Sequence, residues 1–281
     1  MDAPRSIGDI RVRFVSGGKL WIDGGNMFGV IPRLMWERES PPDAQHRIRL
    51  ETNCVVVQTP DSLGLIDTGY GGKTAARFRQ RHSLEDGEPL VRNLKSVGIS
   101  PEQIDWVVLT HLHFDHAGGA TVQDEGGVVR PTFPRARYFV QRAEWEDAIG
   151  NKPELAGAYY VDDIVPIERA GQLEIVEGDA EVVTGVHVHL TAGHTRGHQV
   201  VKIESGGDSG VCLADMCPTT AHLRTFWTMA YDQFPLDIRR KKPGILNDIV
   251  DNHRLALFSH DPDIVAARLV RESANEWRPA D

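Results

Sequence analysis

Within residues 111–116, the run His-Leu-His-Phe-Asp-His carries three imidazoles and one carboxylate. Neutral imidazole and carboxylate oxygen are the donors that zinc and similar divalent cations take, so a cluster this dense points to metal chemistry. The run follows an apolar segment at 105–110 with the character of a buried strand. It precedes Ala117, Gly118, Gly119 and Ala120, small residues that let backbone pass close by. The cluster is therefore expected at the C-terminal end of a strand.

That segment offers four donors, and a two-metal hydrolytic site needs more. Three others stand in similar contexts. His194 lies in a glycine-flanked turn after the alternating strand 186–190, Asp215 follows the apolar run 210–214, and His260 follows the apolar run 255–259. His253 is a rival for the last place, but its setting suits the end of a helix, where an imidazole complements the dipole. Seven donors at strand ends exceed the four of one tetrahedral site.

This motif, followed by a single His, Asp and His, resembles the metallo-β-lactamase superfamily. From His116 to His194 is 78 positions, from there to Asp215 is 21, and from there to His260 is 45, intervals similar to those of the quorum-quenching N-acyl-homoserine lactonases. Residues 23–32 and 227–232 carry further likeness to that branch. The resemblance implies an α/β fold, the αβ/βα four-layer sandwich, as one domain over 1–281. It implies His111, His113 and His194 on one metal, Asp115, His116 and His260 on the other, and Asp215 as the bridge, with two divalent cations, zinc foremost, as cofactors. Asp115 and Asp215 are the implied catalytic residues. The implied reaction is lactone opening by a metal-held hydroxide, with Asp115 passing a proton to the leaving oxygen.

Three residues after Asp215, where many acyl-homoserine lactonases carry a tyrosine that assists the carbonyl, stands Pro218. His222, Tyr231 or Trp227 are the candidates to replace it. Aryl esters, organophosphates and β-lactams are alternative substrates for the same metals. A diiron redox protein or a non-catalytic metal-binding module would be a different class, and no serine nucleophile elbow suggests covalent catalysis. Asp67 resembles the family's supporting aspartate, since a metal-bound imidazole commonly needs an acceptor on its other nitrogen. His198 is expected to buttress the site. Met27, Phe28 and Trp227, with His222 and Tyr231, are expected to line an apolar substrate pocket. His187 and His189 are expected to face solvent, His46 and His82 receive no role, and the basic stretch 77–81 reads as a solvated helix face.

The elements that must position these groups alternate along the chain. Strands are expected at 10–14, 47–60 and 63–67, a basic helix at 73–81, and a helix at 88–97 with Leu90, Val91, Leu94 and Val97 on one face. Ser100, Pro101 and Gln103 have the pattern of a helix start. A second cycle has a strand at 137–140, a helix at 143–149, and strands from 173 to 190 and near 200 and 211. Helices at 245–252 and 264–272 flank the strand before His260.

Composition sets the outer bounds. With 41% hydrophobic and 25% charged residues, the 281-residue chain is an ordinary globule able to bury a large core. Forty acidic against 31 basic residues give a net charge of −9, which disfavours nucleic acid as a partner. Cys54, Cys212 and Cys217 cannot all pair and adjoin apolar segments, which suits a reducing compartment. No apolar stretch approaches the ~20 residues of a membrane span and no leader-like segment opens the chain, so a cytoplasmic location without membrane partners is expected. The expected partner is a small-molecule substrate with an apolar group, and a homodimer is left open.

Overall fold

The computed structural model describes residues 3–280. Two large β-sheets form the frame. The first contains, in spatial order, Arg5–Ile7, Ile10–Asp23, Arg47–Gln58, Leu63–Ile66, Trp106–Val108, Arg137–Gln141 and Leu173–Val176. The second contains Ala180–Val183, Val186–Leu190, Gln199–Ser205, Asp208–Cys212, Leu255–Leu257 and Ala266–Ala267. Hairpins make the first part of each sheet antiparallel. The strands from Leu63–Ile66 to Leu173–Val176 then run parallel, as do Asp208–Cys212 and Leu255–Leu257.

The period-two side-chain alternation of a strand sorts these residues into layers. Val12, Phe14, Val55, Val57 and Val108 meet Val186, Val188, Val201 and Ile203 between the sheets. The residues that alternate with them, Val15, Cys54, Val56 and Val107, face outward. Leu90 and Leu94 of helix Pro89–Ser96, Trp145 of Arg142–Ile149, and Ile164 and Ile167 of Val161–Arg169 cover that face. On the far side, Ile238, Leu246 and Ile249 of helix Pro235–Asp251 cover Val200, Val211 and Leu213. The result is the αβ/βα sandwich. Each fully buried valine or leucine contributes about 1.5–3 kcal/mol, so an aspartate at Val57, which is fully buried, would break the inter-sheet layer.

Two helix expectations are corrected. Residues 264–272 form strands Ala266–Ala267 and Leu269–Ser273, the latter paired with Glu276–Pro279. The open edge of Leu255–Leu257 recruits Ala266–Ala267, while Leu269 and Trp277 fill space beneath the last helix, so tertiary pairing overrides a weak local preference. The helix expected at 245–252 begins at Pro235 and continues through Pro243, a residue that ordinarily marks a break. Helix Val161–Arg169, with Pro166 inside it, escaped the sequence reading for the same reason. The three cysteines are buried and unpaired. Among the described residues, no helix is long and apolar enough to cross a membrane.

Candidate metal centre

Parallel pairing brings strand C-termini to one edge, where an α/β sheet presents its ligand site. Asp67 follows Leu63–Ile66, and the loop carrying His111 to His116 follows Trp106–Val108. In the other sheet, Asp215 follows Asp208–Cys212 and His260 follows Leu255–Leu257, while His194 sits in the turn between Val186–Leu190 and Gln199–Ser205. Sharp exits from the strands aim these side chains. Asp67, Ala192 and Ala214 have φ of 58°, 47° and 45°, left-handed conformations costing about 1–2 kcal/mol each. Gly119 lets the loop after His116 lie against the Asp67 loop, because a Cβ there would stand 2.1 Å from the Thr68 carbonyl oxygen.

The seven expected donors converge. His113 Nδ1 lies 3.1 Å from His111 Nε2 and 3.0 Å from His194 Nε2. His116 Nε2 lies 2.9 Å from His260 Nε2, and Asp115 Oδ2 lies 3.7 Å from the latter nitrogen. Asp215 stands between the two groups: Oδ2 is 3.2 Å from His194 Nε2 and 3.8 Å from His111 Nε2, whereas Oδ1 is 3.3 Å from His116 Nε2 and 3.2 Å from His260 Nε2.

Hydrogen bonding at the opposite ring nitrogens fixes what these atoms are. His116 Nδ1 donates to Asp67 Oδ2 at 2.8 Å, His260 Nδ1 to the Glu51 carbonyl at 2.9 Å, and His194 Nδ1 to Asp232 Oδ1 at 2.8 Å. A neutral imidazole has one N–H, so each Nε2 presents a lone pair to its neighbour and to the Asp215 carboxylate. Asp215 Oδ1 is buried with no hydrogen-bond donor. Lone pairs facing one another and an orphaned carboxylate oxygen require positive charge between them, so the donor set fits divalent cations.

The titration directions express the same need for positive charge, with a proton on these rings taking the place of a cation. Burial holds His111 and His113 well below the usual histidine range. Burial also opposes charge on His116, His194 and His260, but the carboxylates around them, Asp215 with Asp67, Asp115 and Asp232, together outweigh it and hold them above that range. Burial would raise Asp215 itself, yet His116, His194 and His260 bring it well below a normal carboxylate. The pocket is built to hold cationic charge.

A surrounding layer of buried polar groups fixes the rings. Asp67 also accepts from Thr110 N and Oγ1, both at 2.8 Å. His198 Nε2 accepts from Asp215 N–H at 3.1 Å, so it supports the Asp215 turn rather than a ring. Two partners went unread in the sequence. Asp232 closes the 227–232 segment, and the need of His194 for an acceptor is the signal that would have found it. Glu144 accepts from Leu112 N at 2.9 Å, Thr195 Oγ1 at 2.6 Å and Gly197 N at 3.2 Å, tying the 111–116 loop to the turn of His194. No local motif marks it.

A cavity of about 470 Å³ opens above the cluster, with His113, Asp115, His194, Asp215 and His260 at its floor and Ile22, Met27, Leu50, Phe78, Phe114, Met229 and Tyr231 among its walls. Met27 and Tyr231 line this cavity, whereas Phe28, Trp227 and His222, expected there with them, do not. Phe28 is fully buried, stacked on Trp36 and His222 at 5.3 and 5.0 Å with Trp227 edge-on at 5.5 Å. His222 Nε2 donates to the Met27 carbonyl at 2.8 Å, so this aromatic block supports the wall from behind. His82, given no role in the sequence reading, lines the cavity with Phe78, one helical turn away. His253 lies outside the cluster, beyond the end of helix Pro235–Asp251 with φ of 51°. His187 and His189 are partly exposed and meet Glu204 at 3.1 Å and Asp179 at 3.2 Å.

Strand-end histidines and aspartates on an αβ/βα sandwich define a class, and the chain belongs to it: the metallo-beta-lactamase superfamily, whose family model matches residues 47–271. Over its whole length the chain is similar to a probable metal-dependent hydrolase from Staphylococcus aureus, at 30% identity and a TM-score of 0.89, covering 99% of each chain. It is 32% identical to an N-acyl homoserine lactonase of a Bacillus species over 57% of this chain and 61% of that protein. The fold is shared with AidC, a dizinc quorum-quenching lactonase, at 20% identity and a TM-score of 0.79, covering 99% of this chain and 97% of that one.

Proposed function

We propose that the chain is a metal-dependent hydrolase that opens lactones, with acyl-homoserine lactones as the leading substrates and zinc as the leading metal. The observation that carries this reading is Asp215, whose two oxygens turn to different imidazole groups. His111, His113 and His194 would hold one cation, Asp115, His116 and His260 the other, and Asp215 both. Bound there, the cations supply Lewis-acid polarisation of a carbonyl and a water acidic enough to attack near neutral pH.

The chain's own residues do the rest. Asp115, at the cavity floor, takes up the proton that the attacking water gives up and passes it to the leaving alkoxide oxygen. Tyr231 lines the cavity, and burial raises its hydroxyl pKa, so it stays protonated and donates to the substrate carbonyl. It supplies the donor that Pro218 cannot, whereas His222 and Trp227 are turned into the core. Met27, Phe78, Phe114 and Met229 offer apolar surface to an acyl chain and exclude water from the reacting bond.

The test is a panel of lactones, aryl esters, phosphotriesters and β-lactams presented to zinc-loaded protein. Lactones are expected to turn over fastest, and lengthening the acyl chain should lower KM more than it changes kcat. Turnover of aryl esters or phosphotriesters without lactones would move the substrate and leave the metal site. No turnover with two metals bound would reduce the chain to a metal-binding module.

A further inference from the structure

The cavity over the cluster does not end at its apolar walls. It adjoins a second cavity of about 610 Å³, with Ile22, Asn26, Arg81 and His82 lining both, so a ligand that passes these four residues reaches from the histidines into a farther groove. The far part is walled by Trp21, Arg47, Arg77 and Gln80. Arg77 and Arg81 stand four residues apart on helix Ala76–His82, on neighbouring turns of one face.

These two arginines differ from others nearby. Arg79, on another face of the same helix, meets Asp86 at 3.6 Å and Thr74 Oγ1 at 3.2 Å. Arg47 is held by Asp43 at 2.9 Å and donates to the Arg81 carbonyl and Ser83 Oγ. Among the described residues, the guanidinium groups of Arg77 and Arg81 have neither an acidic nor a hydrogen-bonding partner. The carboxylate lining the far part, Asp23, is engaged with Gly25 N–H at 2.8 Å. In a chain of net charge −9, this groove wall runs against the overall balance.

We propose that the groove binds a ligand with an oxyanion at its far end: a hydrolysable carbonyl over the histidine cluster, an apolar chain along Met27, Phe78 and Phe114, and a carboxylate or phosphate against Arg77 and Arg81. The inference rests on the hydrolase reading and narrows its substrate class to acyl groups tipped with an anion. A guanidinium presents a planar fork of N–H donors that matches either oxyanion. Because the arginines are exposed, the gain is modest and sensitive to salt.

Calorimetric titration of zinc-loaded protein tests this, using linear dicarboxylates of graded length, each paired with the monocarboxylate of equal length. Every probe carries one carboxylate for the metal end, so the difference within a pair reports the far end. At the length that spans the groove the diacid should bind about tenfold more tightly, a preference that fades in high salt. The Arg77→Gln/Arg81→Gln double variant, changed only on an exposed helix face, should favour the monoacid, and Arg81→Glu should deepen that reversal. A phosphonocarboxylate of the same length tells which oxyanion is preferred; tighter binding of either over the monoacid supports the site. Monoacids that bind as tightly as diacids at every length, or a diacid preference that survives in the double variant, would overturn it. Turnover of neutral lactones without a diacid preference would remove the anion site and keep the hydrolase, while a diacid preference without turnover of any ester or lactone would do the reverse.

Discussion

Asp232 Oδ1 accepts a 2.8 Å hydrogen bond from Nδ1 of His194, and its Oδ2 accepts one of 2.7 Å from Met229 N–H. One carboxylate thereby orients a ring of the cluster and anchors a residue of the cavity wall. Asp232→Asn keeps the shape but puts an N–H donor where an acceptor is needed. Metal affinity, measured by competition with a chromophoric chelator, should fall about 10–100-fold. Unchanged affinity would show that an amide oxygen serves His194 Nδ1 as well as the carboxylate does.

Asp215→Ala removes the carboxylate that faces both imidazole groups. Elemental analysis should give two metals in the wild type and fewer in the variant, with activity down more than about 100-fold. Chelation should lower the Tm of the wild type, since a ligand present at about 100 times its Kd stabilises by about 2.7 kcal/mol. His253→Ala, outside the cluster, should change stability by no more than about 0.5 kcal/mol and leave the metal content alone. Loss of metal in that variant, with His260→Ala intact, would reassign the last donor.

His222 sets a pH dependence of stability. Burial, reinforced by the charge of Lys242, pushes its pKa down to about 3 from the ordinary 6.5. Between these values the unfolded chain binds a proton that the folded chain refuses. Stability contributed by the neutral ring is therefore complete above about pH 6.5 and declines as pH falls toward 3, by at most about 1.4 kcal/mol per pH unit. Denaturant titrations of wild type and His222→Gln, compared at each pH, should show the shallower slope in the variant. Parallel slopes would mean that His222 is protonated inside the fold.

Cysteine chemistry should be silent in the native state. Cys54, Cys212 and Cys217 are buried, and burial pushes the thiols of Cys212 and Cys217 up to about 12 and that of Cys54 well above its ordinary value. A thiol-reactive dye should label none of the three at pH ~8 until the protein unfolds, and then all of them. Rapid labelling of the folded protein would reveal an opening of the sheets.

The donor residues were legible in the sequence because each sits at a strand end in a local context of its own: a dense His/Asp run, a glycine-flanked turn, and two apolar runs closing on Asp215 and His260. The sandwich itself was legible through period-two alternation, as at 10–14 and 186–190, and through the family resemblance of the motif, whereas the sorting of Val55, Val56 and Val57 to opposite faces was not, since three like residues carry no period. What depends on pairing between distant segments was not. Residues 264–272 became strands because a sheet edge was open to them. Asp232 and Glu144 acquired their partners only when loops 38 and 51 residues away arrived beside them. Phe28, Trp227 and His222 had the composition of a pocket, but their rings gained more by stacking on one another behind Met27 than by facing solvent. A sequence displays local chemistry and period; which apolar group becomes wall and which becomes core is decided by competition for a three-dimensional space that no single segment encodes.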